Sequence, residues 1–347
     1  MTPTSRSGPP LAAKGDVYPD FVGIGAQKAG STWLYRNLRA HPEIWMPPRK
    51  EIHYFNSKTG DRSGLLSGLF GKRREGHEWR GQVLHWTKVH GLEKPSLENL
   101  WWGIRYYTGN FDDGWYASLF EPGRGKVIGE ITPAYSALDW NAVAHVHDIM
   151  PEAKIIFFMR NPIERLWSQL VMSFDRIEEG SADFVTDKRL LRRVERESYR
   201  LLTDYLRTLE TWGEFYPEGR IFVGFLEDVS LFPAELLSRL YHFLGVDSSF
   251  RSPELTEKVH SRSSGRVPVG VAAHLAETYR EKIGRLSERF GGYADFWLYC
   301  AERLVNDPPT KEYLPYPLWE SSLWEEWEGI KGISVQSGPL SSVRTAP

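Results

Sequence analysis

The sequence predicts an α/β domain of three layers, with helices on both faces of a central parallel sheet. Three observations lead there. Short apolar runs alternate with helix-patterned segments, the run Lys154–Met159 is apolar at every position after its lysine, and helix-starting or helix-ending residues stand at the junctions. Strands separated by helices pair in parallel through crossovers, and a parallel strand covered on both faces has to be apolar on both sides.

The elements follow in chain order. Phe21-Val-Gly-Ile-Gly25 reads as a strand ending on glycine, and Trp33 to Leu38 has apolar residues at helical spacing, so this segment is strand, tight loop, helix. Lys126–Glu130 is a second short strand that ends at a carboxylate. Lys154–Met159 is the third and runs into Arg160-Asn161-Pro162, where Asn161 suits a helix cap and Pro162 the first helical position. That helix extends through Trp167 and Leu170. Arg220–Phe225 is the fourth strand, and Ala234–Leu244 is the helix after it, closed by Gly245. Two stretches interrupt the alternation. Residues 57–120 are polar, glycine-studded and Trp-rich, as expected of an insertion over the sheet edge. Asp175 to Arg200 is charge-dense at helical spacing, as on a solvated helix surface. Residues 1–16, rich in Pro, Ser and Gly without an apolar segment, are expected to be a disordered leader and not a secretory signal. Residues 17–310 then form the domain and 311–347 an extension, expected to be mobile from Gly332 onward.

Composition narrows the function. The 347 residues are 41% hydrophobic and 25% charged with a net charge of -2, so no global basic field attracts nucleic acid or an anionic membrane. Positive charge for an anionic ligand must therefore be local. Cys300 is the only cysteine, which excludes an intrachain disulfide and a cysteine-built metal site and fits a reducing, cytoplasmic compartment. No run approaches the roughly 18 apolar residues of a membrane span. The 14 Trp serve either core filling or a surface that stacks on a sugar or aromatic ligand.

The chemistry-bearing segment is Gly25-Ala26-Gln27-Lys28-Ala29-Gly30-Ser31-Thr32, between a strand and a helix. Such a loop turns backbone N–H groups inward and presents a helix N-terminus, and both attract phosphate. It resembles the nucleotide-binding P-loop, with two departures. The usual spacing puts lysine at position 31, where this chain has Ser31, and the lysine has moved inside the loop to Lys28. A nucleoside triphosphatase also needs a strand-end carboxylate to help hold Mg²⁺. Here the strand Lys154–Met159 ends in Arg160, a cation that repels a metal and attracts a second phosphate. Two phosphate-seeking sites describe a nucleotide with phosphates at both ends of its ribose, and not ATP.

Four blocks then resemble the sulfotransferases that use 3′-phosphoadenosine 5′-phosphosulfate (PAPS). Gln27-Lys28-Ala29-Gly30-Ser31-Thr32-Trp33-Leu34 resembles their 5′-phosphosulfate loop, and the segment Phe158 to Ser168, with Arg160, resembles their 3′-phosphate segment. Lys50-Glu51-Ile52-His53-Tyr54-Phe55 and Gly129-Glu130-Ile131-Thr132-Pro133-Ala134-Tyr135 are similar to the carbohydrate branch, nearest the heparan-sulfate glucosaminyl sulfotransferases and their bacterial homologues. The blocks stand in the family's order, and the resemblance covers Tyr18 to Leu304.

The resemblance implies a P-loop-like sulfotransferase fold, PAPS as sulfonate donor, no required metal, and a carbohydrate or other small-molecule acceptor lying on the side of the 57–120 insertion. It implies that Lys28 neutralises the departing phosphate and that Glu51 takes the acceptor's proton, with His53 as the runner-up base. Gln27 to Trp33, Arg160, Ser168, Gly265 and Arg266 would hold the donor; Glu51, His53 and Glu130 would meet the acceptor. The chain departs from the heparan enzymes in having Ser264-Gly265-Arg266 where they carry Lys-Gly-Arg, and it lacks the C-terminal cysteine pair of some animal relatives. Plainer roles stand beside each assignment. Lys28 can be a solvated loop lysine, Glu51 a partner of Arg49 or Lys50, Arg160 half of a structural ion pair and Ser168 a helix-surface residue. Trp33 can stack on adenine or pack the core, and Glu130 can simply fix the turn at Thr132-Pro133. The aromatics Trp79, Trp86, Trp101, Trp102, Tyr106, Tyr107 and Trp115 can stack on an acceptor or pack the insertion down. Two other functions fit the same loop: a P-loop kinase using ATP, and a carbohydrate-binding protein on a retired transferase scaffold.

Overall fold

A computed structural model describes residues 15–58, 97–175, 196–256 and 265–331. All of the expected leader but its last two residues, most of the Trp-rich insertion with Trp79 and Trp86, most of the charge-dense 175–200 stretch and the tail from Gly332 lie outside the described residues.

Five parallel strands form the central sheet: β1 (Phe21–Gly25), β2 (Ile44–Trp45), β3 (Val127–Ile131), β4 (Lys154–Met159) and β5 (Ile221–Phe225), in the spatial order β2-β3-β1-β4-β5. Helices flank it, among them Ser31–Ala40, Trp140–Ile149, Pro162–Asp175 and Pro233–Leu244. The strands read from the sequence are present, β4 with the same bounds and β3 one residue later than expected. The edge strand β2 has only two residues, too few for a period-2 pattern to declare itself. Asn161 accepts from Ile163 N at 3.1 Å, and Gly245 ends its helix at φ 82°, so both helix-boundary signals act as their chemistry requires.

Glycines set how closely the strands approach. Phe21 lies opposite Gly129 across β1 and β3, and a Cβ on Gly129 would stand 2.0 Å from the Phe21 ring. Gly23 lies opposite Ile131, whose Cγ1 would be 2.8 Å from a Cβ, and Gly224 lies opposite Phe158, with ring atoms at 2.6 Å. Each pair places one bulky side chain over a bare backbone. The bulky member is buried in every case, and burying a Phe is worth about 1.5–3 kcal/mol.

The chain after Gly245 forms elements that its sequence did not announce. Helices Val269–Phe290 and Tyr293–Asn306 pack against each other, joined through Gly291 and Gly292. β6 (Arg266–Pro268) pairs antiparallel with β7 (Tyr313–Pro315). The described part of the expected 311–347 extension is built into the core, with Leu314, Leu318, Leu323 and Trp327 buried. Among the described residues, no helix is long and apolar enough to cross a membrane. Because the central strands run parallel, the loops after β1, β3 and β4 emerge at one edge of the sheet, where open α/β folds place ligands.

The strand-facing glycines generate a test. Gly129→Val should lower unfolding stability by about 1–3 kcal/mol in urea titration, because its side chain has to displace the Phe21 ring. Gly213→Ala, where a Cβ meets nothing within 4 Å, should change stability by less than about 1 kcal/mol. Equal midpoints for the two variants would contradict this account of the strand packing.

Candidate active site

The loop from Ala26 to Gly30 is held from behind. Ala26 N donates to Phe158 O at 2.6 Å, and Arg160 Nη1 donates to Lys28 O at 3.0 Å. Lys28 has φ 68° and Gly30 φ 85°, left-handed values that a non-glycine residue adopts at a cost of about 1–3 kcal/mol. Gly30 caps the Ser31–Ala40 helix without a side-chain hydrogen bond. Gln27, Lys28, Gly30, Ser31 and Thr32 are partly exposed, whereas Ala29 is buried. The Lys28 ammonium stands 3.6 Å from the Met172 sulfur.

A second lysine faces the loop from across the site. Lys50 Nζ donates to Ser31 Oγ at 3.0 Å and Thr32 Oγ1 at 3.3 Å, and it pairs with Glu51 Oε1 at 2.9 Å. His53 Nε2 lies 3.3 Å from the other Glu51 oxygen, and His53 Nδ1 lies 3.3 Å from Asn56 Oδ1. Burial works to raise the Glu51 pKa, but the hydrogen bond from His53 and the Lys50 charge outweigh it and bring it down to about 2. The carboxylate is still 36% exposed, so it is ionised and accessible. Two residues apart, Glu51 and His53 would share one face if this segment were extended. The segment is not extended: Glu51 has φ 68° and His53 φ 60°, and these two turns bring the side chains into contact. Among the described residues four non-glycine residues have positive φ, and Lys28, Glu51 and His53 are three of them. Backbone strain thus concentrates on the three residues assigned to catalysis.

Glu130 occupies a different place from the one expected. Its side chain is fully buried and does not open into the cleft. Tyr116 donates to it at 2.7 Å and Thr132 at 3.2 Å, and the Tyr135 phenol lies within electrostatic reach. Burial, only partly offset by those hydrogen bonds, pushes its pKa up to about 7. Its effect reaches the site through the backbone: Tyr135 Oη accepts from Tyr54 N at 3.0 Å, and Glu51 N donates to Ile131 O at 3.0 Å. The β3 end therefore holds the Glu51–Tyr54 segment. Tyr106 Oη adds a contact to Ile52 O at 3.5 Å.

Arg160 is 7% exposed and spreads its guanidinium over three partners. Nε pairs with Glu164 at 3.1 Å, Nη1 holds Lys28 O, and Nη2 donates to the Tyr316 hydroxyl. Ser168, partly exposed on the same helix as Glu164, lies within electrostatic reach of Tyr316. The structure thus brings Arg160 and Ser168 together, and it makes Arg160 the link to the Lys28 loop. Gly265 and Arg266 are exposed and join the group through Tyr316 N, which donates to Gly265 O at 3.0 Å. Trp33 is buried in the core, and its indole donates to Leu255 O at 3.0 Å. Its burial and this hydrogen bond fit the packing role of its expected pair.

The described insertion aromatics mostly pack. Trp102, Tyr106 and Trp115 are buried, Tyr107 accepts from Arg49 Nη1 at 2.9 Å, and Trp101 is 67% exposed. Two residues of this cluster escaped the sequence reading: Lys50, which was weighed only as a surface partner of Glu51, and Tyr316.

A model of the Sulfotransferase family matches residues 19–250. The membrane-associated sulfotransferase kil1 of Dictyostelium discoideum is 27% identical over 173 residues, which are 50% of this chain and 27% of that protein. Carbohydrate sulfotransferase 15 of Mus musculus is 28% identical over 174 residues, 48% of this chain and 29% of that protein. The matched region thus spans less than a third of these relatives. A crystal structure of a sulfotransferase from Alicyclobacillus acidocaldarius aligns with TM-score 0.52 and 22% identity over 78% of this chain and 95% of that one, a likeness of fold. With the family model matching well over half of its residues, and with the loop, the sheet and the Lys50–Glu51 block in place, this chain belongs to the Sulfotransferase family.

Proposed function

We propose that this chain transfers a sulfonate group from PAPS to a hydroxyl or amine of a carbohydrate or other small-molecule acceptor. One observation carries the reading: the Lys50 ammonium stands between the loop hydroxyls of Ser31 and Thr32 and the carboxylate of Glu51. In a P-loop kinase the loop hydroxyl helps to hold Mg²⁺. Here a lysine fills that position, so the donor set suits an anion and a cationic side chain.

The residues present fit the donor. The Ser31–Ala40 helix begins without a side-chain cap, its N–H groups facing the loop side, and Lys28 and Lys50 bring two cations to it. Arg160, Ser168 and Arg266 supply a second cationic region for a ribose phosphate. In the reaction the acceptor oxygen or nitrogen bonds to sulfur as the bond from sulfur to the phosphate oxygen breaks. Charge then gathers on that leaving oxygen, where Lys28 and Lys50 lower its energy. Glu51 receives the acceptor's proton, and His53, braced by Asn56, orients the carboxylate or shares the proton.

A carboxylate with a pKa of about 2 is a weak base. An anion in the loop competes for Lys50, and loss of that cation raises the basicity of Glu51 when the donor is bound. The arrangement keeps Glu51 ionised in the resting site and strengthens it as a base once the donor is in place.

Glu51→Gln should fold, bind adenosine 3′,5′-bisphosphate nearly as well as the parent chain, and lose about 10²–10⁴ in kcat. His53→Asn should lose less. The reverse order in steady-state kinetics would move the base to His53. The pH dependence follows from the sign of the shift: a base works when ionised, so rate falls as pH drops through its pKa. The acid limb of kcat, which reports the bound complex, should therefore lie at higher pH than the acid limb of kcat/KM, which reports the free enzyme. Lys50→Met should raise the kcat/KM limb toward the kcat limb. Coincident limbs in the parent chain, unmoved by Lys50→Met, would refute the role given to Lys50.

A further inference from the structure

Tyr316 lies outside the residues that the family model matches and 156 positions from Arg160, yet it stands where the donor-site elements meet. Its hydroxyl accepts from Arg160 Nη2 and lies within electrostatic reach of Ser168. Its backbone N–H donates to Gly265 O at 3.0 Å, and the β6–β7 ladder sets Arg266 opposite Pro315. The Arg266 guanidinium also lies over the Tyr313 ring, 4.4 Å from its centroid. Two residues on, Leu318 N donates to Glu164 Oε1 at 2.5 Å, and the other oxygen of that carboxylate pairs with Arg160. One short segment, Tyr313 to Leu318, thus touches Arg160, Glu164, Gly265 and Arg266 and comes within reach of Ser168.

Resting on the donor reading above, we propose that Tyr316 is a donor-site residue whose hydroxyl, with Arg160 and Ser168, binds the 3′-phosphate monoester of the nucleotide. Arg160 donates to the Tyr316 oxygen, so the phenol's own O–H is left to donate to an anion. Burial raises the Tyr316 pKa, so the phenol keeps its proton at neutral pH. The phenol adds no negative charge beside a phosphate dianion, and its aromatic ring, 5.0 Å below the Arg160 guanidinium, limits how that cation turns. A 5′-monophosphate without the 3′-phosphate has no group for this hydroxyl to meet. Tyr316 accordingly acts on discrimination between nucleotides and not on the sulfur chemistry.

Calorimetry on the full chain with adenosine 3′,5′-bisphosphate and AMP tests the proposal. Tyr316→Phe keeps the ring and removes the hydroxyl. It should weaken the bisphosphate about tenfold or more, the worth of a hydrogen bond to a charged group, and leave AMP unchanged. Retained AMP binding reports an intact fold. In the parent chain, hydrogen exchange at Tyr313–Leu318 should slow with the bisphosphate and not with AMP, a readout that needs no variant. An undiminished or enlarged preference for the bisphosphate in Tyr316→Phe, or equal exchange with both nucleotides, would overturn the assignment of Tyr316. A parent chain that shows no preference between the two nucleotides would instead overturn the donor reading, and this assignment with it.

Discussion

The buried guanidinium of Arg160 is the interaction on which the site's construction depends. A charge withdrawn from water costs several kcal/mol unless its hydrogen bonds are met, and Arg160 meets them with groups from three parts of the chain. Glu164 comes from the helix that Arg160 itself introduces, the Lys28 carbonyl from the loop after β1, and the Tyr316 hydroxyl from the C-terminal segment. Satisfying one cation therefore fixes the loop conformation, including the left-handed turn at Lys28, and closes the far side of the site. Glu164 shares its second oxygen with Leu318 N, so that neither charge is left with an idle face toward the core.

Around that support the site keeps its working charges close but unequal. Lys50 and Glu51 form a partly exposed pair, and the same ammonium reaches the loop hydroxyls. An exposed pair of this kind adds little to stability. Its use lies in the coupling: a group that binds the loop must compete with Glu51 for Lys50. The positive φ angles at Glu51 and His53 are the conformational cost of bringing carboxylate and imidazole together, and the Tyr135 and Ile131 contacts hold that geometry.

The parts of this arrangement that rest on local pattern were legible in the sequence. β4 is apolar on both faces and was read with its observed bounds, and the glycines around Lys28 marked the loop between strand and helix. The acid and histidine at 51 and 53 were named by the resemblance of their block, but their meeting depends on left-handed turns that no spacing rule for a strand contains. Glu130, which ends a parallel strand, was expected either to meet the acceptor or to fix the turn at Thr132-Pro133. Tyr116, from a helix whose packing the sequence does not declare, closes over it instead. Lys50 was hidden by its commonplace neighbour, since a lysine beside a glutamate usually describes a solvated surface. Tyr316 had no local signal at all, because its significance comes from a contact with Arg160 across 156 positions.

Sulfonate transfer itself is tested most directly with PAPS carrying radioactive sulfur, a mixed panel of sugar, phenol and amine acceptors, and EDTA in the reaction. The account predicts labelled acceptor and adenosine 3′,5′-bisphosphate in equal amounts, at a rate that EDTA leaves unchanged. Phosphate transfer from ATP that requires Mg²⁺, with no sulfur moved from PAPS, would contradict it.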